Sequence, residues 1–198
     1  MPFAIQDYPL ATGVTISPGV IRRIVEANPA CVMLKAEDWP GLEKISALRR
    51  LEREGGMRRV AILVGNGGLF LLFELERGAD GAMTGYAHPE MLVGACSLHA
   101  EGRRARAHDL FDAHRPLLRY ERQPGVGLAA RKSVLRKRGV LSSDAQRKPR
   151  GSLSAKAQAE VGCRSAGWSG RSGRHGPWPK QDRVDDRTLA GLHPQRAP

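Results

Sequence analysis

The strongest constraint on the fold is an alternation of short apolar runs with helical repeats. The apolar runs predict four strands, at residues 3–8, 31–34, 60–64 and 81–84. The repeats predict helices at residues 18–27, 40–54, 69–77, 89–100, 105–120 and 126–138. Strands that alternate with helices at this spacing form parallel βαβ units with right-handed crossovers. The chain is therefore predicted to be α/β, and its nearly continuous apolar strands predict a sheet covered on both faces.

Four βα units form either a small open sheet or half of a (β/α)8 barrel. A complete barrel needs about 250 residues, and roughly 160 are available here before the C-terminal tail. Both architectures place their chemistry at the carboxyl ends of the strands. The residues near those ends are Gln6, Asp7, Tyr8, Lys35, Glu37, Gly65, Asn66, Thr84, Gly85 and Tyr86.

The formal net charge of +12 is unevenly distributed along the chain. Residues 1–101 contain 10 Lys and Arg against 12 Asp and Glu, whereas residues 102–150 contain 14 against 4. Residues 162–198 are rich in Gly, Pro and Arg and poor in large aliphatic side chains, which predicts a disordered basic tail. The predicted organisation is a half-barrel region at 1–101, a helical region at 102–161 and a tail at 162–198.

The basic segment 103–150 raises the alternative of a nucleic-acid-binding module, because clustered cations suit phosphate groups. Its basic run consists of Arg131, Lys132, Arg136, Lys137 and Arg138. The segment offers few aromatic side chains on which bases could stack, since Phe111 and Tyr120 are the two aromatic residues between 100 and 160. A solvated or intersubunit helix face is the favoured interpretation, and nucleic acid is not expected as a partner.

Several function classes are excluded by what the sequence lacks. No run of 18 apolar residues exists, because glycines interrupt the longest apolar stretch, 60–73, so no transmembrane helix is predicted. No secretory signal is expected at the N-terminus, which predicts a cytoplasmic protein. Cys31, Cys96 and Cys163 are too far apart for a zinc motif, and the six histidines lack metal-ligating spacing. We therefore expect no metal ion.

Lys35 is the most suggestive residue at the strand ends, because it follows four apolar residues and its stem would pack inside the sheet. Burial disfavours the charged form of an amine and frees a neutral amine to attack a carbonyl group. The alternative is a structural lysine whose ammonium group reaches water at the end of a strand. The spacing alone leaves both interpretations open.

The segment Gly65-Asn66-Gly67-Gly68 follows a strand and opens a helix, as phosphate-binding loops do. The third glycine of a dinucleotide-binding motif would fall at Phe70, however, and no Gly-Lys-Ser or Gly-Lys-Thr follows. A tight turn, or backbone that leaves room for a small ligand, is therefore the favoured interpretation.

Four motifs along the chain resemble those of one enzyme family. They are Pro9 with Thr12-Gly13 after the first strand, Val32–Lys35 in the second, Gly65 after the third, and Gly78–Thr84 leading into the fourth. In this order and spacing they resemble the second half of the dihydrodipicolinate synthase/N-acetylneuraminate lyase family, through about Val161. The resemblance implies strands five to eight of a (β/α)8 barrel, added C-terminal helices and a homo-oligomer.

The resemblance also implies a reaction. The family runs Schiff-base chemistry as aldolases, lyases or dehydratases of pyruvate or another 2-keto acid, and no cofactor is expected. Lys35 occupies the position of the imine-forming lysine, whose amine condenses with the keto carbon. Gly65, Met83 and Thr12 occupy positions implied to bind the substrate.

The sequence departs from the family pattern at two positions, one in the first predicted strand and one just after it. Gln6 stands where the family carries a proton-relaying tyrosine, and a glutamine cannot transfer a proton. Tyr8, two residues further on, is the candidate replacement because it would share a face of the strand. Ala11 stands where dihydrodipicolinate synthases carry an arginine. We therefore expect a different keto-acid lyase or dehydratase, and not an enzyme that condenses pyruvate with aspartate semialdehyde.

The resemblance begins at the family's fifth strand, so the chain is predicted to be a truncated family member. An open half barrel would expose two sheet edges and an apolar interior. Three functions stay open: a Schiff-base enzyme that uses Lys35, an inactive fragment that associates with family subunits, and the basic module at 103–150.

Overall fold

Four parallel strands form one sheet in the order β1-β2-β3-β4. The computed structural model describes residues 1–39 and 41–169 of the chain. The strands are β1 (Phe3–Asp7), β2 (Cys31–Ala36), β3 (Ala61–Val64) and β4 (Gly81–Ala82). All four predicted strands are present, although β4 is shorter than predicted and β2 is longer, so that Lys35 lies within β2 rather than after it.

Helices connect the strands and extend the fold beyond the sheet. They are α1 (Pro9–Thr12), α2 (Pro18–Ala27), α3 (Leu42–Arg53), α4 (Leu71–Glu76), α5 (Pro89–Ala100), α6 (Arg104–Glu121), α7 (Gly127–Lys137) and α8 (Ala155–Ser169). The Ser17 hydroxyl accepts a hydrogen bond from the backbone N–H of Val20 at 3.3 Å, which caps α2 as predicted. No helix within residues 1–39 and 41–169 has the length and apolar character needed to cross a bilayer.

One face of the sheet is buried beneath the helices. Successive strand residues point to opposite faces, and Leu34, Ala36, Ile62 and Val64 all point to the covered side. Each of these four residues is at most 7% exposed. The helix side chains buried in the same core include Ile21, Val25, Ile45, Leu48, Leu71 and Leu75.

The other face of the sheet is open. Gln6 is exposed on that face, and Met33, Lys35 and Leu63 are half-buried. The prediction that both faces are covered is therefore wrong for the described residues, because the helices of this chain pack on one side only. With β1 and β4 as the outermost strands of the described sheet, its two edges are free, as expected for a half barrel.

The C-terminal helices form a second layer in which α6 packs against α5, α7 and α8. Phe111, Leu118, Val134 and Val161 are buried between them. Helix α8 continues to Ser169, past residue 162, where the tail is predicted to begin. The rest of the predicted tail, 170–198, lies outside the described residues.

The five side chains of the basic run at residues 131–138 contact other residues of the same chain. Its ion pairs are Arg131–Glu121, Arg136–Asp144 and Arg138–Glu90, at 2.8, 3.2 and 2.7 Å. The remaining two cations donate to backbone carbonyls, Lys132 to Ala145 and Lys137 to Gln158. These contacts favour the helix-face interpretation of the run over the nucleic-acid-binding module.

The difference in burial between two valines of the sheet predicts different costs for the same substitution. Val64→Ala removes two methyl groups from a fully buried site and should destabilise the chain by roughly 2 kcal/mol. Val32→Ala is the matched control, because Val32 is 49% exposed and its truncation should cost less than about 0.5 kcal/mol. Urea unfolding monitored by circular dichroism measures both values. Equal losses would contradict the deep burial of Val64.

Candidate active site

Lys35 and Glu37 meet at the carboxyl end of β2, on the open side of the sheet. Glu37 follows the last residue of β2, and its contact with Lys35 shows that the two side chains reach the same side of the sheet. The Lys35 Nζ atom lies 3.3 Å from Glu37 Oε2, and 22% of the lysine side chain is exposed. The neighbouring strand adds Gln6, whose Nε2 donates to the same carboxylate oxygen at 2.6 Å. Glu37 therefore pairs with an amine and accepts from an amide through the same oxygen.

The second oxygen of Glu37 holds the loop after β3. Its Oε1 atom accepts the backbone N–H of Asn66 at 3.3 Å. Glu37 is only 7% exposed. A Cβ atom on Gly65 would lie 2.1 Å from this oxygen, so position 65 requires glycine. The space left by Gly65 is thus filled by the Glu37 carboxylate. The role of Gly65 in binding the substrate remains a prediction.

The glycine loop is fully engaged in contacts within the protein. Asn66, Gly67 and Gly68 are buried and adopt successive positive φ values of 51°, 71° and 77°. The Gly67 N–H donates to Thr84 Oγ1 at 2.7 Å, and the Gly68 N–H donates to the Gly65 carbonyl at 2.8 Å. With these N–H groups already committed, the loop is a tight turn and not a phosphate cradle.

Arg122, at the end of α6, covers this loop from the C-terminal layer. A Cβ atom on Gly67 would lie 2.5 Å from Arg122 Cδ, so the arginine stem lies directly on the glycine backbone. The guanidinium Nη2 atom is 3.5 Å from Asn66 Oδ1. Nothing in the local sequence around Arg122 shows that α6 ends above the loop, so its place at the site could not be predicted from the sequence.

Tyr8 follows the last residue of β1, and its role as a proton relay remains a prediction. Strand β1 ends at Asp7, so Tyr8 lies outside the strand and the alternation no longer determines its direction. Its carbonyl instead accepts the Thr12 hydroxyl at 3.1 Å in the first turn of α1. None of the contacts described for Lys35 or Glu37 involves Tyr8.

The other two predicted substrate-binding residues lie apart from the Lys35–Glu37 pair in these contacts. Thr12 is exposed, and its hydroxyl is engaged by the backbone of α1 and of Val14. Met83 follows β4 and is 41% exposed, with its N–H bonded to the Val64 carbonyl at 2.9 Å. Their roles in substrate binding remain predictions.

The comparisons with known proteins agree with this fold. No family model matches the chain. L-2-keto-3-deoxyarabonate dehydratase from Azospirillum brasilense is 32% identical over 162 residues, which cover 81% of this chain and 50% of the dehydratase. A dihydrodipicolinate synthase structure from Rhodopseudomonas palustris is 58% identical with a TM-score of 0.81, covering 84% of this chain and 55% of that one. The chain is therefore dihydrodipicolinate synthase-like.

A more distant structure adds a bound ligand to the comparison. A prophage protein of the dihydrodipicolinic acid synthase family from E. coli K12, solved in complex with pyruvate, is 17% identical with a TM-score of 0.68. The match covers 81% of this chain and 54% of that protein. At this level of identity the likeness shows the fold alone.

The resemblance and the fold class predicted from the sequence are confirmed for this dihydrodipicolinate synthase-like chain. Its α/β fold is that of part of a TIM-barrel-like protein, and the chain spans about half the length of the relatives it matches. Among the described residues, no group of three or more His, Cys, Asp or Glu side chains could hold a metal ion.

A buried polar cluster supports the segment between β4 and α5 of the dihydrodipicolinate synthase-like chain. The Tyr86 hydroxyl and His114 Nδ1 are 2.9 Å apart, and the His88 ring lies 5.2 Å from the His114 ring. Burial lowers the pKa of His114 to about 4, so this imidazole is neutral at pH 7. Glu121 accepts the backbone N–H of Ala87 at 3.2 Å, which ties the same segment to α6.

A different ionic cluster lies on the covered side of the sheet. Asp7 is fully buried, and its Oδ2 atom lies 2.7 Å from Lys44 Nζ, which also pairs with Asp38. Glu74 of α4 lines the same cavity as Lys44 and Asp38. Burial raises the pKa of Glu74 to about 8, because desolvation disfavours its carboxylate. Asp7 is thus separated from Lys35 by the sheet, although both residues lie at strand ends.

The raised pKa of Glu74 predicts a stability that falls as the pH rises. The folded chain keeps the Glu74 proton up to about pH 8, whereas the unfolded chain releases it near pH 4.5. Between these values the unfolded state loses a proton that the folded state retains, so the free energy of unfolding decreases with increasing pH. Glu74→Gln should remove this contribution, and its advantage over the wild type should grow from pH 5 to pH 8.

Urea titrations at several pH values measure this difference. The matched control is Glu54→Gln, which removes a carboxylate from an exposed position at the end of α3. An advantage of Glu74→Gln that stays constant with pH would contradict the prediction.

Proposed function

We propose that this chain is a truncated member of the dihydrodipicolinate synthase/N-acetylneuraminate lyase family, whose Lys35 forms a Schiff base with a 2-keto acid. The observation that carries the proposal is the Lys35 amine on the open side of a parallel sheet, 3.3 Å from a largely buried carboxylate. Parallel α/β folds place their chemistry at this end of the strands. The A. brasilense relative, which is named as a dehydratase of a 2-keto-3-deoxy sugar acid, supports the substrate class.

The first step joins the lysine to the keto acid. The neutral Lys35 amine attacks the keto carbon, and the resulting carbinolamine loses water to form an imine. Glu37 is the proton acceptor nearest to this amine in the described contacts, and it can take the proton that the ammonium group must lose before attack. The protonated imine then withdraws electrons from the neighbouring carbon, as an electron sink.

Glu37 takes over the proton transfer that the missing tyrosine performs in the family pattern. The carboxylate is held by Gln6 from one strand and by the Asn66 N–H from the next loop, so its position is fixed. It removes a proton from the carbon next to the imine, and the electron pair forms an enamine. In a 3-deoxy acid the enamine then expels the next hydroxyl, which leaves as water after receiving that proton.

This sequence of steps favours a dehydratase among the family's reactions. The A. brasilense relative is named as a dehydratase of a 2-keto-3-deoxy sugar acid, and it matches this chain over 162 residues. Ala11 replaces the arginine that the family pattern associates with dihydrodipicolinate synthases. We therefore propose a 2-keto-3-deoxy acid as the substrate and lyase chemistry as the reaction type.

A second candidate function rests on the open face and the free edges of the sheet. Phe3 on β1 and Met83 after β4 are large apolar residues beside the free edges, and each is at least 40% exposed. Such a surface favours association with another chain, as in an inactive fragment bound to family subunits or in a homo-oligomer. Size-exclusion chromatography of the chain, alone and mixed with a full-length relative, separates these two forms of association.

Lys35→Ala tests the covalent step. Borohydride reduction in the presence of pyruvate should add one pyruvyl group to the wild-type chain, and peptide mapping by mass spectrometry should place it on Lys35. Lys35→Ala should give no adduct, because the nucleophilic amine is gone. Lys137→Ala, which removes an exposed lysine of α7, is the matched control and should react like the wild type. An equal adduct in Lys35→Ala would disprove the assignment.

Glu37→Gln tests the proton transfer separately from imine formation. The imine of pyruvate exchanges its methyl protons with D2O when a base removes them, and proton NMR follows this exchange. We expect Glu37→Gln to slow the exchange about 100-fold to 10,000-fold, the usual contribution of a positioned acid or base. The adduct on Lys35 should still be trapped by borohydride, because solvent water can take the ammonium proton in place of Glu37. Exchange at the wild-type rate would show that another group is the base.

A further inference from the structure

Arg122 is a half-buried cation near the carboxyl ends of the strands. Its stem lies on the Gly67 backbone, and its guanidinium group approaches the side chain of Asn66. Asn66 itself is 2% exposed, and its φ of 51° lies in the left-handed region that residues other than glycine rarely adopt. Two groups beyond the backbone hold it there, Glu37 at its N–H and Arg122 at its side chain.

The charge of Arg122 is uncompensated among the described residues. Other cations close to this end of the sheet each pair with a carboxylate: Lys35 with Glu37, Lys44 with Asp7 and Asp38, Arg131 with Glu121, and Arg138 with Glu90. No carboxylate of the described side chains lies within 4.0 Å of the Arg122 guanidinium. Its Nη2 atom has only the long 3.5 Å contact with a neutral amide oxygen. A guanidinium with free donors in a rigid position is suited to a carboxylate or phosphate.

A short chain of contacts connects Arg122 to the proposed nucleophile. Glu37 touches Lys35 through one oxygen and the Asn66 backbone through the other, and the Asn66 side chain reaches Arg122. A keto acid bound to Lys35 and extending over Asn66 would therefore bring its far end towards this guanidinium. Pyruvate is too short to use the contact, because it has no group beyond its methyl carbon.

We infer that Arg122 and Asn66 form a subsite for an anionic group at the far end of the 2-keto acid. This inference rests on the proposed function, since Lys35 fixes the near end of the ligand. Arg122 would act by binding and would take no part in the covalent steps. The preferred ligand is then a 2-keto acid with a second carboxylate or a phosphate, in preference to one of equal length with an uncharged end.

The test compares two five-carbon keto acids that differ at the far end. 2-Oxoglutarate ends in a carboxylate, and 2-oxopentanoate ends in a methyl group. The concentration of each acid that gives half-maximal borohydride trapping at Lys35 is measured for the wild type, for Arg122→Gln and for Arg119→Gln. Arg119→Gln is the matched control, because it removes the same charge from an exposed position near the end of α6.

Arg122→Gln should raise the half-maximal concentration of 2-oxoglutarate about tenfold to a hundredfold, the usual effect of losing a charged hydrogen bond. It should leave 2-oxopentanoate unchanged, and Arg119→Gln should change neither. Equal effects of Arg122→Gln on both acids, or no effect, would overturn the subsite.

A separate measurement keeps the subsite testable if Lys35 traps neither acid. Titration calorimetry of 2-oxoglutarate into Lys35→Ala protein reports binding without the covalent step. Binding that is weakened by adding Arg122→Gln would support the subsite, even though the Schiff-base proposal had failed. Absence of binding, or binding indifferent to Arg122→Gln, would overturn the subsite as well.

Discussion

The Glu37 carboxylate is the contact on which the site depends. One of its oxygens accepts from Gln6 and lies beside Lys35, and the other accepts from the backbone of Asn66. A carboxylate this deeply buried is costly unless hydrogen bonds and a cation offset its lost hydration. These donors come from β1, from β2 and from the loop after β3, so satisfying one charge fixes the relative positions of three strand ends.

The accessibility of this cluster follows from how the helices are arranged. Helices α2 to α4 bury Leu34, Ile62 and Val64 on one side of the sheet, while Lys35 and Met33 face the other side. In relatives about twice as long as the matched segment, further chain is present beyond this half. The open face that leaves the amine accessible is therefore also the face that favours association.

Much of the fold was predictable because it depends on local patterns. The period of the apolar residues located all four strands, and Ser17 with Pro18 located the start of α2. The candidate site was predictable in part, because Lys35 stands out by its place after an apolar run. The role of Glu37 was not, because it arises from Gln6 and Asn66, which lie far away in sequence. The same holds for Arg122, whose position depends on how α6 packs over the loop.

A crystal structure of the chain after borohydride reduction with pyruvate tests the central claim most directly. The account predicts continuous density from Lys35 Nζ into the reduced pyruvyl group on the open face of the sheet, with the Glu37 carboxylate in hydrogen-bond contact with the adduct. Density for the adduct on another lysine, or a Lys35 enclosed by helices on that face, would contradict it.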